Sequence, residues 1–244
     1  MKSFKTIVSI FFALLFLTLM SCNGDWFSVR AYRVGDIVLN DGSYLRDVDS
    51  ISEEEKAKAI AVIYKVDGNK AYGIGIDCGY YAWCLSSANG YKTNFIDIQC
   101  NKDYKLNNKI YFTGDTDGSD NFEQIAKALG ENDDTEIEGN YPAFEFAKNY
   151  KDQPNSHVSG TEYETGWYLP SLPELYDIWT VKKDLEEKLN ICASYKFSEH
   201  WCWSSTQYSE DEHVAYELWF RNGVSSGTSK HFSELVCCIR IFSW

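Results

Sequence analysis

Gly166-Trp-Tyr-Leu-Pro-Ser-Leu-Pro-Glu-Leu175 is the stretch on which the reading of the fold turns. Trp167 to Leu169 reads as the end of an extended segment. Ser171 is a helix N-cap, and Glu174 stands three residues on, the spacing of a capping box. In that motif each side chain accepts the other residue's backbone N–H. Leu172, Leu175 and Trp179 recur at helical spacing and supply a stripe to bury. Glu174 invites a catalytic reading, but its place in the first turn accounts for it.

Outward from this stretch, strand and helix signals alternate. Lys182 to Asn190 reads as a polar helix. His200 to Ser205 and Val214 to Arg221 read as strands, and Asn222-Gly223 is a hairpin signal leading to a polar return strand, Val224 to Thr228. Leu235 to Phe242 reads as one closing strand. Upstream, Pro142 to Tyr150 is a helix. Asp120 and Glu123 suggest another capping box, with Phe122, Ile125, Ala126 and Leu129 on its apolar face and Gly130 as its stop. Asp115-Thr-Asp117-Gly-Ser-Asp120 has acids at calcium-loop spacing. Its glycine is not sixth, and its twelfth residue is Ala126 rather than a bidentate Glu, so a structural role is expected. Ala61–Val66 and Ala71–Ile76 form a hairpin over Asp67-Gly-Asn-Lys70. Ser52 caps a short helix with acids in its first turn, and Tyr32 to Leu39 is a strand. The class expected is α+β, antiparallel strands with short flanking helices.

The N-terminus carries an export signal. Lys2 and Lys5 precede Ile7–Met20, an apolar run of 14 residues. A helix needs about 20 to cross a bilayer core. A short apolar run behind a positive flank reads as a secretory leader instead. It ends Leu19-Met-Ser-Cys22, which resembles a bacterial lipobox. That resemblance implies cleavage after Ser21 and a lipid on Cys22, with residues 22–31 as a tether and 32–244 as one domain. Acyl chains contribute about 0.8 kcal/mol per buried CH₂, so several anchor firmly. The expected location is the cell envelope, at the outer membrane and surface-exposed.

The net charge is −13. Such a chain repels nucleic acid, whose binding depends on neutralising phosphates. Aromatics are abundant, with 8 Trp, 17 Tyr and 14 Phe, and serve either a core or a binding surface. Cys78, Cys84, Cys100, Cys192, Cys202, Cys237 and Cys238 remain beside Cys22. Their spacing is not that of zinc ligands, their number is odd, and their pairing is not fixed by spacing. Adjacent Cys237 and Cys238 should point to opposite faces of a strand. No cofactor is implied.

Gly166-Trp-Tyr-Leu-Pro-Ser, Glu174-Leu175, Trp203-Ser-Ser205, Ala215-Tyr216, Phe220, Gly223, Lys230 and Val236-x-Cys238-Ile-Arg240-x-Phe242 together resemble the DUF1566 family of bacterial surface domains. That resemblance implies a C-type-lectin-like fold of the formylglycine-generating-enzyme-like branch. It is clear over residues 160–244 and looser over 30–159. There the pattern is similar to spirochaete surface lipoproteins of the Treponema variable protein type. In those proteins a diversity-generating retroelement alters residues in the last strands and loops.

Strand phase divides Val214 to Arg221 in two. Val214, Tyr216, Leu218 and Phe220 make a core face. Ala215, Glu217, Trp219 and Arg221 make the other, where a Trp between opposite charges suits recognition better than burial. Ser225, Ser226, Thr228, His231, Phe232, Ser233, Glu234 and His200 extend this ligand-binding set. The function expected is a surface-displayed lipoprotein that binds a protein or carbohydrate on a host or neighbouring cell. Two alternatives are a cysteine-dependent enzyme and a structural envelope lipoprotein without a ligand. The enzyme reading would draw on Cys202, Cys237 and Cys238, but the chain ends Arg240-Ile-Phe-Ser-Trp244, not the Arg-Gly-Gly-Ser of formylglycine-generating enzymes. If diversification operates, sequencing the 3′ end of the gene across isolates will find changes clustered within residues 200–235. Changes spread evenly along the gene would contradict it.

Overall fold

The computed structural model describes residues 32–104, 109–193, 195–196 and 199–244. The leader, the tether and Cys22 lie outside the described residues. The first part of the chain runs β1 (Ile37–Leu39), β2 (Tyr44–Leu45), α1 (Glu53–Lys56), β3 (Ala59–Asp67), β4 (Lys70–Gly75) and β5 (Gly79–Ala82). Next come β6 (Cys100–Tyr104), β7 (Ile110–Gly114), α2 (Asn121–Ala128), α3 (Pro142–Lys148) and β8 (Trp167–Tyr168). The last part holds α4 (Leu172–Thr180), α5 (Lys182–Cys192), β9 (Trp201–Gln207), β10 (Val214–Trp219), β11 (Val224–Ser229), β12 (Ser233–Val236) and β13 (Ile239–Ser243).

The strands form a six-stranded sheet in the order β2-β1-β3-β4-β13-β8, a five-stranded sheet β11-β10-β9-β12-β5, and the ribbon β6-β7. Pairing is antiparallel except between β12 and β9. This is a mixed α+β architecture of mostly antiparallel sheets with short helices. The core fills the space between the two large sheets. Ile37, Val62 and Ile74 come from the first sheet, Leu172, Leu175, Ile178, Leu185 and Leu189 from α4 and α5, and Cys202, Leu218 and Leu235 from the second. Ala59 to Tyr64 of β3 are buried in both phases because the strand lies inside its sheet and both its faces are covered.

The Gly166–Leu175 stretch joins the two sheets. Ser171 and Glu174 make the expected capping box at the start of α4. The Glu174 carboxylate reaches further: its Oε2 accepts Ser171 N at 2.9 Å and Gly118 N at 3.0 Å, and its Oε1 accepts the Tyr168 hydroxyl at 2.8 Å. Tyr168 belongs to the first sheet. On the other side, Leu172 N donates to Thr206 Oγ1 at 2.9 Å and Ser205 N to Pro170 O at 2.8 Å, and both partners belong to β9 of the second sheet. Gly118 has no room for a side chain, since a Cβ there would meet Leu169 O at 2.5 Å.

Three sequence expectations change. The strand expected from Tyr32 begins only at Ile37, after a turn at Val34-Gly35. Leu235 to Phe242 is two strands in different sheets, and Cys237-Cys238 carries the chain between them. The apolar run hides this crossover because every residue from Leu235 to Ile239 is buried, so no change of pattern marks it. Asp120 makes no capping hydrogen bond; Asp117 Oδ1 instead accepts Ser119 N at 3.0 Å and opens a 3-10 turn that runs into α2. The Ser52 cap, the β3–β4 hairpin and the Asn222-Gly223 turn stand as expected.

Removing the Glu174 carboxylate strands the buried N–H groups of Gly118 and Ser171. Glu174→Ala is therefore expected to lower the unfolding free energy by about 2–4 kcal/mol. Glu174→Gln, which keeps one acceptor, should recover part of it. Urea titration followed by tryptophan fluorescence measures both; a loss in the Ala variant below about 0.5 kcal/mol would fit a merely exposed cap.

Candidate functional site

β10 lies between β9 and β11, so its register orders the surface on either side. Leu218 is opposite Cys202 of β9 and Ser225 of β11, and this face meets α4 in the core. On the reverse face Glu217 stands between Trp203 and Ser226, and Trp219 between Trp201 and Val224. Ala215 opposite Thr228 places Thr228 on the same side. The parallel register Leu235 to Cys202 turns Glu234, one residue earlier, onto that reverse face too.

The Trp201 and Trp219 rings lie 5.1 Å apart between centroids at 35°. Both are half-buried. Beside them Glu217 is only 4% exposed. Thr228 Oγ1 donates to Glu217 Oε1 at 2.8 Å. Glu217 Oε2 and the Trp219 indole N–H are shielded from solvent and have no hydrogen-bond partner among the described residues. Shielded polar atoms without partners are rare in folded proteins and call for an explanation at each site. Burial pushes the Glu217 carboxyl up to about 7, opposed by the Thr228 hydrogen bond and reinforced by the nearby Glu234.

The expectation of an open phase at Ala215 and Glu217 is corrected, because both are buried. An interior strand has neighbours on both edges, and the short Glu217 side chain lies low among larger ones. The remaining expected residues do not all join this face. Ser225 is on the core side and its hydroxyl accepts Lys102 Nζ of β6 at 3.3 Å. Arg221 is exposed in the turn beyond β10. His200 precedes β9 and its Nδ1 lies 2.8 Å from the Tyr80 hydroxyl. His231, Phe232 and the start of β12 at Ser233 form a second patch. There His231 Nδ1 is 3.0 Å from Tyr91 Oη and 2.9 Å from Ser229 Oγ, and the His231 and Phe232 rings lie 4.4 Å apart. Glu217, Trp219, Ser226, Thr228 and Glu234 are thus brought together. Ser225, Arg221, His200, His231, Phe232 and Ser233 lie apart from them.

Sequence reasoning missed three contributors. Trp201 shares the phase of Trp203, and that alternation is the signal that could have placed it against Trp219. Tyr91 lies in a segment without periodic pattern, which offered no signal. Lys230 is fully buried; its Nζ donates to Gly90 O at 3.2 Å and Thr93 O at 3.1 Å, and lies 4.8 Å from the ring centres of both Trp83 and Phe95. Burial lowers its pKa to about 8. This cation holds the 89–93 segment, and hence Tyr91, against the turn after β11. Among the described residues no cluster of three His, Cys, Asp or Glu is placed to hold a metal ion, and no helix is long and apolar enough to cross a membrane.

Glu217 makes a pH prediction. Its unfolded carboxyl titrates near 4.5 and its folded carboxyl near 7. The folded state therefore holds the proton longer, and this contribution to stability is full below pH 4.5 and lost as pH rises through 7. Glu217→Gln removes the dependence. Urea unfolding should find the variant gaining on wild type by roughly 1–3 kcal/mol between about pH 4 and pH 8. A difference independent of pH would contradict it.

No family model matches the chain, and no curated protein matches it. Among solved structures it is similar to a fimbrial protein from Bacteroides ovatus ATCC 8483, with a TM-score of 0.58 and 14% identity over 87% of this chain and 49% of that one. The chain thus spans about half the length of that protein, and at this identity the likeness is one of fold.

Proposed function

We propose that this chain is a surface-displayed binding protein whose ligand seats on the Trp201–Trp219 face of the second sheet. The observation that carries this reading is the pair of half-buried tryptophans beside Glu217, a carboxyl with one oxygen left without a partner among the described residues. The half-exposed indole faces offer a ligand an apolar seat, and the buried Glu217 beneath them sets its electrostatic floor. Indole faces stack on sugar rings or anchor a protein partner, and the rim of Ser226, Thr228 and Glu234 supplies hydrogen bonds. On this reading the fold is a C-type-lectin-like variant of the DUF1566 kind, held at the outer membrane by a lipid on Cys22. The fimbrial protein with a similar fold is in keeping with a place at the cell surface.

The cysteine-dependent enzyme is the weaker reading. Catalytic thiols are activated by lowered pKa and access to solvent. Cys202, Cys237 and Cys238 are fully buried, and burial pushes each thiol up, Cys237 to about 12.

The test presents the lipid-free mature chain to an array of defined oligosaccharides and to a panel of extracellular-matrix proteins. Wild type should retain at least one probe. Trp219→Ala should weaken that binding at least tenfold, about 1.4 kcal/mol or more. It should still unfold cooperatively, since a half-buried ring on a sheet face does not hold the core. Undiminished binding by a folded Trp219→Ala protein, or retention of no probe by wild type, counts against the proposal.

A further inference from the structure

The half-open part of the reverse face is one row that crosses four strands. Trp219 of β10 is opposite Trp201 of β9. The parallel register of Leu235 with Cys202 sets Glu234 beside Trp201, one step earlier on both strands. Glu234 is in turn opposite Tyr81 of β5. The row therefore reads indole, indole, carboxylate, phenol, and all four side chains are half-buried. The next row, Glu217, Trp203 and Val236, is closed to solvent. The Tyr81 ring bounds the far end. It lies over Gly79, where a Cβ would collide with it, and its centre is 5.2 Å from that of Phe146.

Glu234 is the unpaired member of this row. Partial burial raises its pKa, and no hydrogen bond or ion pair meets its carboxyl among the described residues. Glu217, in the next row, is near enough for the two carboxyls to repel each other. None of the five strands of this sheet contains Lys or Arg. A carboxylate that has lost part of its hydration is best compensated by a cation, and the sheet supplies none. Aromatic faces attract the same kind of partner, because a cation within about 6 Å of a ring centre is held by the ring's quadrupole. A guanidinium meets both demands. It stacks flat on an indole while its N–H fork meets a carboxylate, and it sheds water more readily than an ammonium. A chain of net charge −13 also favours a basic partner on approach.

We propose that the Trp201–Trp219 seat takes an arginine side chain of a protein partner, its guanidinium stacked on the indoles and paired with Glu234. This inference rests on the ligand seat proposed above and names its occupant.

The experiment titrates the ¹⁵N-labelled, lipid-free mature chain with a Gly-Ser peptide carrying one central arginine, with the same peptide carrying citrulline, and with a glucosamine oligomer. The arginine peptide should shift the indole N–H resonances of Trp201 and Trp219, assigned with Trp201→Phe and Trp219→Phe proteins. Citrulline keeps the shape of arginine without its charge and should bind roughly fivefold more weakly or worse. Glu234→Gln protein should lose a similar factor for the arginine peptide and none for the citrulline peptide. Raising salt from about 20 to about 300 mM should weaken the arginine peptide alone. Equal binding of the two peptides, or full affinity of Glu234→Gln protein for arginine, overturns this inference and leaves the seat standing. Tighter binding of the glucosamine oligomer than of the arginine peptide does the same. If no probe moves either indole resonance, this inference falls, and the array of saccharides and matrix proteins decides the seat by itself.

Discussion

One carboxylate ties the start of α4 to the first sheet, and the backbone on either side of that start is bonded to the second. Glu174 gathers the first turn of its own helix, the backbone at Gly118 and the hydroxyl of Tyr168. The adjoining residues Pro170 and Leu172 bond directly to β9. A buried carboxylate is costly unless its oxygens are met, and here each oxygen has a donor. The connection is therefore close to all-or-none: losing one partner leaves the rest short of hydrogen bonds. The α4 helix that Glu174 starts covers one face of the second sheet. The opposite face carries Trp203 and Glu217, both buried, and the half-buried Trp201 and Trp219.

That opposite face differs in character from the core it backs onto. The core side is aliphatic and closed by α4, α5 and the first sheet. The reverse side mixes indole rings, hydroxyls and two carboxyl groups. A core strand does not gain stability from a carboxyl raised to about 7 with an unmet oxygen. What sets this face apart is the combination of the tryptophan pair with the unpartnered Glu217 oxygen among the described residues. Buried Lys230 shows the contrasting, completed arrangement, in which a costly cation has both carbonyl acceptors and aromatic faces around it.

Local signals were legible where the physics is local. The N-cap at Ser52, the capping box at Ser171 and the hairpin at Asn222-Gly223 depend on a few adjacent residues, and each appears where the sequence places it. Gly223 has φ +73°, and a Cβ there would also meet Trp179 at 2.4 Å, so both turn and packing require glycine. What was illegible depends on partners distant in sequence. Period-two phase assigned Glu217 to the side away from Leu218, which holds. It could not say how deep that side lies, because depth is set by Trp203, Thr228 and Trp219 across three strands. The crossover at Cys237-Cys238 was hidden because residues buried in both sheets read as one strand. Asp120 matched a capping pattern, but Asp117 starts the turn three residues earlier and takes the role.

Native-state hydrogen exchange at the amides of Gly118, Ser171 and Leu172 tests most directly whether this junction is the fastening between the sheets. All three should exchange only through global unfolding, with the same free energy and urea dependence as the slowest amides of β3. Exchange by local opening, faster and insensitive to low urea, would mean that the sheets hold together without Glu174 and that the junction is a surface detail.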